Sequence, residues 1–338
     1  MQNQQLHMLS DVLGPARPRE DVLAGLRQDQ DLFTMFQGFP PDGQEKLLSF
    51  LCGEKSLEIL YDPFFKNIMD PFVHQDRIES LISAFMGEPV SIKQILPVTG
   101  TQMVDNGSFV IMDILVELSD HRIIDVEMQK VGYQFPAQRT SCYAADIIMR
   151  QYNRVRAAKG KSFSYRDIQQ TCLFIFMEQS SREFLSAPDQ FLHHRDISYT
   201  SGVRLPETVD ITYISLDTFR STVHNDICTE VMAWLTFLSK DDPKSVLALI
   251  ERYPQFLSYY QDIAAFRQKP EELINMFSEA LYILDKNTER LMVDELRNEN
   301  EALKSKNQAL ESDNHSLNEK LSAYEKMFGS LPADEQSV

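Results

Sequence analysis

The sequence predicts an α/β protein in which a mixed sheet lies between helices. From Asp76 onward, apolar residues recur with the spacing of one helical face, and Gly87 is a residue type that commonly ends a helix. Three strand-like runs follow, at residues 90–97, 109–118 and 122–130. The second run is almost entirely apolar, which is typical of a strand buried on both faces.

After these strands the chain returns to a helical pattern and then to strands. Residues 138–158 form a predicted helix with one apolar side, and its other side carries arginines at helical spacing. Residues 171–178 and 211–216 are predicted as further strands. The order of helix, three strands, helix and strand indicates a sheet packed between helices.

Short helices are predicted before this core, and a heptad repeat is predicted after it. Pro40 and Pro41 are expected to break the first group of helices, because paired prolines end a helix. The predicted d positions of the heptads are Leu296, Leu303, Leu310, Leu317 and Tyr324, and the a positions are Val293, Asn300, Asn307, Asn314, Leu321 and Phe328. Leu at d with Asn at a favours a parallel two-stranded coiled coil. The sequence therefore predicts a parallel homodimer through residues 293–328.

Composition narrows the classes of function. The 338 residues carry a formal charge of −17, which argues against a protein that coats nucleic acid nonspecifically. The four cysteines are far apart and show no zinc-binding spacing. The N-terminus is polar, and no apolar run reaches the length of a membrane span, so a cytoplasmic location is expected.

The second and third strands bring acidic residues together. A three-residue loop at 119–121 sets a register in which Asp113 lies opposite Glu127, and strand alternation puts Asp125 and Gln129 on the same face as Glu127. Opposed carboxylates in an apolar hairpin are costly unless a cation lies between them, and a divalent ion is the natural candidate. The alternatives are that one acid points outward or pairs with an arginine, or that the register slips by one residue.

These acids belong to motifs that resemble a known family. The motifs are residues 62–69 (DPFFKNIM), 74–81 (HQDRIESL), 111–114 (IMDI) and 125–129 (DVEMQ), with further matches at Arg139, at Cys142 and Tyr143, and at 161–167 (KSFSYRD). From about Asp62 to Ile214 the chain resembles the PD-(D/E)XK nuclease family transposases, which are also described as recombination-promoting nucleases. The resemblance implies a restriction-endonuclease-like α-β-β-β-α-β core, in agreement with the predicted order of elements.

The resemblance also implies catalytic roles. Asp113 would be the central metal-binding aspartate, Glu127 the acid of the second motif, and Gln129 would stand at the usual lysine position. Glu79 on the first helix would be a supporting acid, with Asp76 as a competing candidate. A neutral Gln can orient a water molecule but carries no charge to polarise it. The alternatives are a Gln129 side chain that bonds to neighbouring backbone and a Glu79 that is simply solvated.

The activity implied by the resemblance is hydrolysis of DNA with Mg²⁺ or Mn²⁺ as cofactor. Asp113, Glu127 and the Met128 carbonyl would hold the ion. DNA binding needs positive charge, and residues 130–170 hold eight Lys and Arg against two acids. The expected DNA contacts in this stretch are Lys130, Arg139, Arg150 and Arg154. The alternative function is a catalytically weak or inactive nuclease-like module that binds DNA or protein and works through its coiled coil.

These interpretations divide the chain into five predicted parts. They are an N-terminal helical segment (1–60), a nuclease-like domain (61–240), a helical extension (241–288), a coiled coil (289–328) and a disordered tail (329–338).

Overall fold

The fold is given by a computed structural model, which describes residues 8–60, 62–98, 113–131, 136–222 and 227–329. The chain divides into two compact units, Met1–Asp285 and Lys286–Val338. In the described part of the chain, none of the helices combines the length and the apolar character that crossing a membrane requires.

Short helices open the first unit. They are α1 (Ser10–Leu13), α2 (Arg19–Leu26), α3 (Gln30–Gln37), α4 (Pro41–Cys52), α5 (Asp62–Ile68) and α6 (Gln75–Met86). Pro41 is the first residue of α4, a position where the missing N–H of proline has no cost, so the predicted break is confirmed. Gly87 has a φ of +70° and ends α6 in the left-handed conformation, also as predicted.

The described strands form a six-stranded mixed sheet. In chain order they are β1 (Ile92–Ile95), β2 (Ile114–Leu118), β3 (Ile123–Val131), β4 (Thr171–Gln179), β5 (Leu192–His194) and β6 (Val209–Ser215), and the spatial order is β1-β2-β3-β4-β6-β5. The first three strands are antiparallel, whereas β3, β4 and β6 are parallel. The helix α7 (Pro136–Lys159) provides the crossover between the parallel strands β3 and β4. The predicted α/β class is therefore confirmed.

The pairing of β2 with β3 has the predicted register. Ile114 lies opposite Val126, and Leu115 lies opposite Asp125. The three-residue turn between β2 and β3 ends at His121, whose φ of +72° is in the left-handed region. Residues 109–112 of the predicted second strand lie outside the described residues. Because directly opposed residues share a face, the odd-numbered positions of both strands point to the same side of the sheet.

The two faces of the sheet pack against different partners. Even-numbered side chains such as Val116 and Val126 join the main core, which also receives Ile78 and Ile82 of α6. Odd-numbered side chains contact α7, where buried apolar residues form a second, smaller core. Its strand and helix members include Leu115, Ile123, Tyr143, Ala144 and Ile147. Helix α7 therefore covers the face that carries the acids of β3.

The predicted orientation of α7 is wrong for most of the helix. Tyr143 and Asp146, expected on the polar side with the arginines, are buried against the sheet. Of the residues expected on the apolar side, Ala144 is buried, but Ile148, Tyr152 and Val155 are only half-buried. The physical reason is that the sheet face beneath α7 is itself acidic, so polar and basic residues complement it.

The remaining described helices of the first unit follow β4. They are α8 (Arg182–Leu185), α9 (Leu216–Thr222), α10 (Glu230–Ser239), α11 (Pro243–Arg252), α12 (Phe256–Ala265) and the start of α13 (Pro270–Phe328). One core joins side chains from Leu9 to Phe277, so the N-terminal segment and the helical extension pack together with the sheet. The buried Arg267 reinforces this packing by donating hydrogen bonds to the carbonyl oxygens of Leu13 and Leu51. His193 lies in the short strand β5.

The second unit is the remainder of α13, which is helical as the heptad pattern predicts. Three of its d-position leucines are more than half exposed: Leu303 at 54%, Leu310 at 51% and Leu317 at 60%. Side chains of residues 280–299, and residues 330–338 of the predicted tail, lie outside the described residues. The coiled-coil dimer stays a prediction.

Candidate active site

Two acidic side chains lie buried side by side on β3, under helix α7. Asp125 is 0% exposed and Glu127 is 4% exposed. Neither carboxylate oxygen of Asp125, nor Oε2 of Glu127, has a hydrogen-bond partner among the described residues. The neighbouring Gln129 is also buried, and its Oε1 likewise lacks a partner within the described ranges. Buried polar atoms normally have hydrogen-bond partners, so a row of buried oxygens without partners among the described residues requires an explanation.

Asp113 joins this group from the residue that precedes β2. Its Oδ2 accepts a hydrogen bond of 2.7 Å from the Met128 N–H, and its Oδ1 lies 3.4 Å from Lys66 Nζ. Three elements therefore meet at one end of the hairpin: the start of β2, the middle of β3 and helix α5. The contact with Met128 holds the Asp113 carboxylate against the strand that carries Glu127.

The electrostatics of the site disfavour negative charge. Burial, with the charge of Asp113 nearby, raises the pKa of Asp125 well above its usual range. Burial, with the charge of Asp125, raises the pKa of Glu127 from its ordinary 4.5 to about 8. A carboxyl group with such a pKa is largely protonated at neutral pH unless a cation approaches it. The site therefore has the properties expected of a cation-binding position.

Helix α7 supplies positive charge above these acids. The Arg139 Nη2 lies 3.4 Å from Oε1 of Glu127, and its guanidinium lies 5.1 Å from the centre of the Tyr143 ring. The Tyr143 side chain also hydrogen-bonds to Glu127. Arg150 Nε lies 2.7 Å from Oδ2 of Asp146. These contacts offset the acidic charge only in part, because the pKa of Glu127 remains raised despite them.

Glu79 lies apart from this site. Its Oε1 accepts hydrogen bonds from the Ile92 N–H at 2.7 Å and from Gln75 Nε2 at 2.9 Å. Ile92 pairs with Leu118, at the opposite end of β2 from Asp113, and α6 packs on the other face of the sheet. The carboxylate thus joins α6 to the start of β1, and the supporting-acid role that the resemblance implies for Glu79 stays a prediction.

Arg154 contacts a different buried acid. Its Nη1 lies 3.0 Å from Oε2 of Glu117, whose Oε1 is also 3.2 Å from Lys93 Nζ and 2.7 Å from His121 Nδ1. Burial alone would raise the pKa of Glu117, but the contacts with His121, Lys93 and Arg154 hold it below its usual value. These residues line a cavity of about 360 Å³. Glu117 therefore has several cationic partners, whereas Asp125 on the same face has no hydrogen-bond partner among the described residues.

Some residues of the site were not assigned a role from the sequence. Lys66 stood within a recognised motif, yet nothing local indicated that it would contact Asp113. Asp125 was expected on the same face as Glu127, and its complete burial could have been predicted from the apolar residues on either side. Tyr143 was expected on the polar side of α7. The side chain of Lys130 lies outside the described residues.

The donor set fits a hard divalent cation in part. No group of three or more His, Cys, Asp or Glu side chains forms a metal-binding cluster within the described ranges. However, both carboxylate oxygens of Asp125 and Oε2 of Glu127 are buried without hydrogen-bond donors there, and oxygen ligands of this type suit Mg²⁺ or Mn²⁺. Such ions keep several water ligands, so a set of two carboxylates, such as those of Asp113 and Glu127, with a backbone carbonyl is a sufficient protein contribution.

Comparison with known proteins identifies a family for this chain. The model of a family described as "PD-(D/E)XK nuclease family transposase" matches residues 64–320, which is more than half of the chain. No curated protein and no solved structure matches the chain.

Proposed function

Because the chain belongs to the PD-(D/E)XK nuclease family transposases, we propose that it is a metal-dependent endonuclease that hydrolyses phosphodiester bonds of DNA. The observation that carries the proposal is the pair of buried acids on β3. Asp125 and Glu127 have carboxylate oxygens without hydrogen-bond donors in the described part of the chain, beside Asp113. A stable protein tolerates such a group when a cation compensates it in the working state.

The proposed roles combine the positions that the family resemblance implies with the contacts of each residue. Asp113, Glu127 and the Met128 carbonyl would hold the cation, and Asp125 would add negative charge behind them. When bound, the ion would lower the pKa of a water ligand and neutralise charge on the transferred phosphate. Gln129 would orient the attacking water, because its Oε1 is directed to no other donor among the described residues.

Gln129 stands at the position where the motif usually has a lysine, and Lys66 is proposed to supply the positive charge of that lysine. Its ammonium group lies 3.4 Å from Asp113 Oδ1 and its side chain is 43% exposed, so it can also reach a phosphate oxygen. A lysine contributed by α5 would restore the positive charge expected next to the central aspartate. Arg139, which is 36% exposed beside Glu127, is the proposed contact of α7 with the DNA backbone at the site.

A catalytically weak binding module is the second candidate. It is favoured by the two ion pairs Lys66–Asp113 and Arg139–Glu127, which neutralise part of the acidic charge without a metal. The absence of a lysine at Gln129 favours it too.

Cleavage of supercoiled plasmid separates the two candidates. We expect the purified full-length protein to nick or linearise plasmid with Mg²⁺ or Mn²⁺, and to leave it intact with EDTA. Ca²⁺, a hard cation that also binds oxygen ligands, serves as a control for DNA binding without cleavage. Intact plasmid with every divalent ion, under conditions in which the protein binds DNA, would establish the binding module instead.

We also propose that the chain forms a parallel homodimer through residues 293–328. The exposed leucines at 303, 310 and 317 form an apolar stripe on α13, and a second copy of the same helix would bury it. In a parallel dimer each g residue faces the e residue five positions later on the partner, and the resulting pairs Glu299–Lys304 and Lys306–Glu311 have opposite charges. A dimer would bring two active sites to one DNA molecule, which suits cleavage of both strands.

Substitution of one leucine tests the dimer. Leu310→Lys is expected to weaken dimerisation by at least about 100-fold, since each of two chains loses the burial of a leucine side chain. Ser312→Lys, which adds the same charge at an outward heptad position, is the matched control and is expected to stay dimeric. Sedimentation equilibrium measures both. A wild-type chain that is monomeric at micromolar concentration, or a Leu310→Lys variant that dimerises as well as the control, would refute the proposal.

A further inference from the structure

An exposed group of aromatic side chains follows the C-terminal end of α7. Tyr152, Phe163 and Tyr165 form this group, which is called the aromatic platform below. The rings of Tyr152 and Tyr165 stack with their planes 18° apart and their centres 6.3 Å apart, and Phe163 packs against both at 5.4 and 5.5 Å. Tyr165 is 76% exposed, which is unusual for a large aromatic side chain. The platform presents one ring to solvent and supports it from beneath.

Hydrogen bonds hold the platform in place. Asp167 Oδ2 accepts a bond of 2.8 Å from the Ser164 N–H, and Asp167 Oδ1 lies 2.6 Å from Lys159 Nζ. The hydrogen bond from Lys159 and that from Ser164 hold the pKa of Asp167 below its usual value. The turn that carries Tyr165 is therefore fixed to the end of α7 at neutral pH. A ring held in this way loses little conformational entropy when a ligand stacks on it.

The surface around the platform is basic. Residues 152–167 contain five Lys and Arg (154, 156, 159, 161 and 166) and one acid, Asp167, in a chain whose formal charge is −17. Arg166 follows Tyr165 directly and Lys161 precedes it by four residues, and both are exposed. The Arg156 guanidinium lies 5.5 Å from the centre of the Tyr152 ring. An exposed aromatic ring flanked by cations fits a polyanion that also offers flat apolar faces.

We infer that the aromatic platform binds unpaired nucleotides of a DNA strand, with a base stacked on Tyr165 and phosphates beside Lys161 and Arg166. In a duplex the base faces are already stacked on one another, so only an unpaired base can use the ring in this way. The inference rests on the proposed function and deepens it, because it makes the substrate a DNA with a single-stranded segment such as a flap, an overhang or a loop.

The position of the platform agrees with this substrate. Arg156 is 17 residues beyond Arg139 on the same helix, which corresponds to about 25 Å along its axis. An unpaired strand of several nucleotides can follow α7 from the proposed active site to the platform. The other side of α7 at this end is occupied, because Arg154 pairs with Glu117.

Fluorescence anisotropy in EDTA tests the inference without cleavage. The probes are a labelled oligo-dT of 15 nucleotides and a blunt duplex of the same length. Tyr165→Ala is expected to weaken oligo-dT binding by about 5- to 150-fold and to change duplex binding much less. Tyr165→Phe keeps the ring and is expected to bind like the wild type. Tyr199→Ala, which removes a tyrosine that is 48% exposed outside the platform, is the matched control.

Each outcome bears on one proposal at a time. Oligo-dT affinity that is unchanged in Tyr165→Ala, or reduced equally in Tyr165→Phe, would overturn the platform even if the wild type cleaves plasmid. Selective loss in Tyr165→Ala would support the platform even if no metal ion produces cleavage, and the endonuclease proposal alone would then fail. Since Tyr165 is exposed, the thermal unfolding of all three variants is expected to match that of the wild type.

Discussion

Replacing Glu127 by Gln is expected to abolish DNA cleavage and, at the same time, to stabilise the metal-free protein. The substitution removes a proposed metal ligand, and we expect activity to fall by more than about 100-fold, because the loss of an outer-shell partner alone costs roughly 10- to 100-fold. The gain in stability follows from burial. At pH 7 the buried wild-type carboxyl either binds a proton, at a free-energy cost, or stays charged without enough positive charge around it. The uncharged amide of Gln has neither cost.

We expect the free energy of unfolding of Glu127→Gln to rise by about 1–3 kcal/mol in EDTA at pH 7. Urea denaturation measures the change. Asp113→Asn should lose cleavage as well, because it weakens the second proposed ligand. A loss of cleavage together with a gain in stability for Glu127→Gln is expected of a residue that is needed for activity and destabilises the fold.

Glu117→Gln provides the matched control. Glu117 is equally buried on the same face of the sheet, but its carboxylate is surrounded by Lys93, His121 and Arg154, which hold its pKa low. Its replacement should therefore destabilise the protein by about 1–3 kcal/mol and leave cleavage unchanged. If Glu127→Gln lowers stability in the same way as Glu117→Gln, the Glu127 carboxylate is already compensated by the protein, and the metal-site proposal fails.

The parts of the site that follow from local chemistry could be predicted from the sequence. The three-residue loop between β2 and β3 determines the register, so the positions of Asp113, Glu127 and Gln129 followed from counting residues. The end of α6 at Gly87 followed from the conformational freedom of glycine at a helix terminus. Each of these features depends on residues close together in the chain.

The parts that depend on distant contacts could not be predicted. Hydropathy places charged residues at the surface, yet α7 turns its arginine side inward because acids of β2 and β3 lie beneath it. The contact of Lys66 with Asp113 joins two elements separated by more than forty residues, and no periodicity signals it. The hydrogen bond of Glu79 to the start of β1 could not be predicted either, since a motif does not specify which face of the sheet a helix covers.

The stability of the metal-free protein is expected to fall as the pH rises from about 5 to about 8. In the unfolded chain the Glu127 carboxyl ionises near its ordinary pKa of 4.5, whereas in the folded protein burial and the charge of Asp125 raise its pKa to about 8. Between these values the folded state binds a proton that the unfolded state has lost. The free energy of unfolding therefore decreases with rising pH in this window, by about 3–5 kcal/mol in total.

A divalent cation should remove this dependence. Mg²⁺ or Mn²⁺ would replace the proton on the acids, and a ligand at 100 times its dissociation constant stabilises the folded state by about 2.7 kcal/mol. Urea denaturation at pH 5, 6, 7 and 8, with EDTA or with the ion, measures both effects. Glu127→Gln in EDTA should show a weaker pH dependence than the wild type. Metal-induced stabilisation that is as large at pH 5 as at pH 8 would contradict the proposal, because protons and metal ions compete for the same carboxylates.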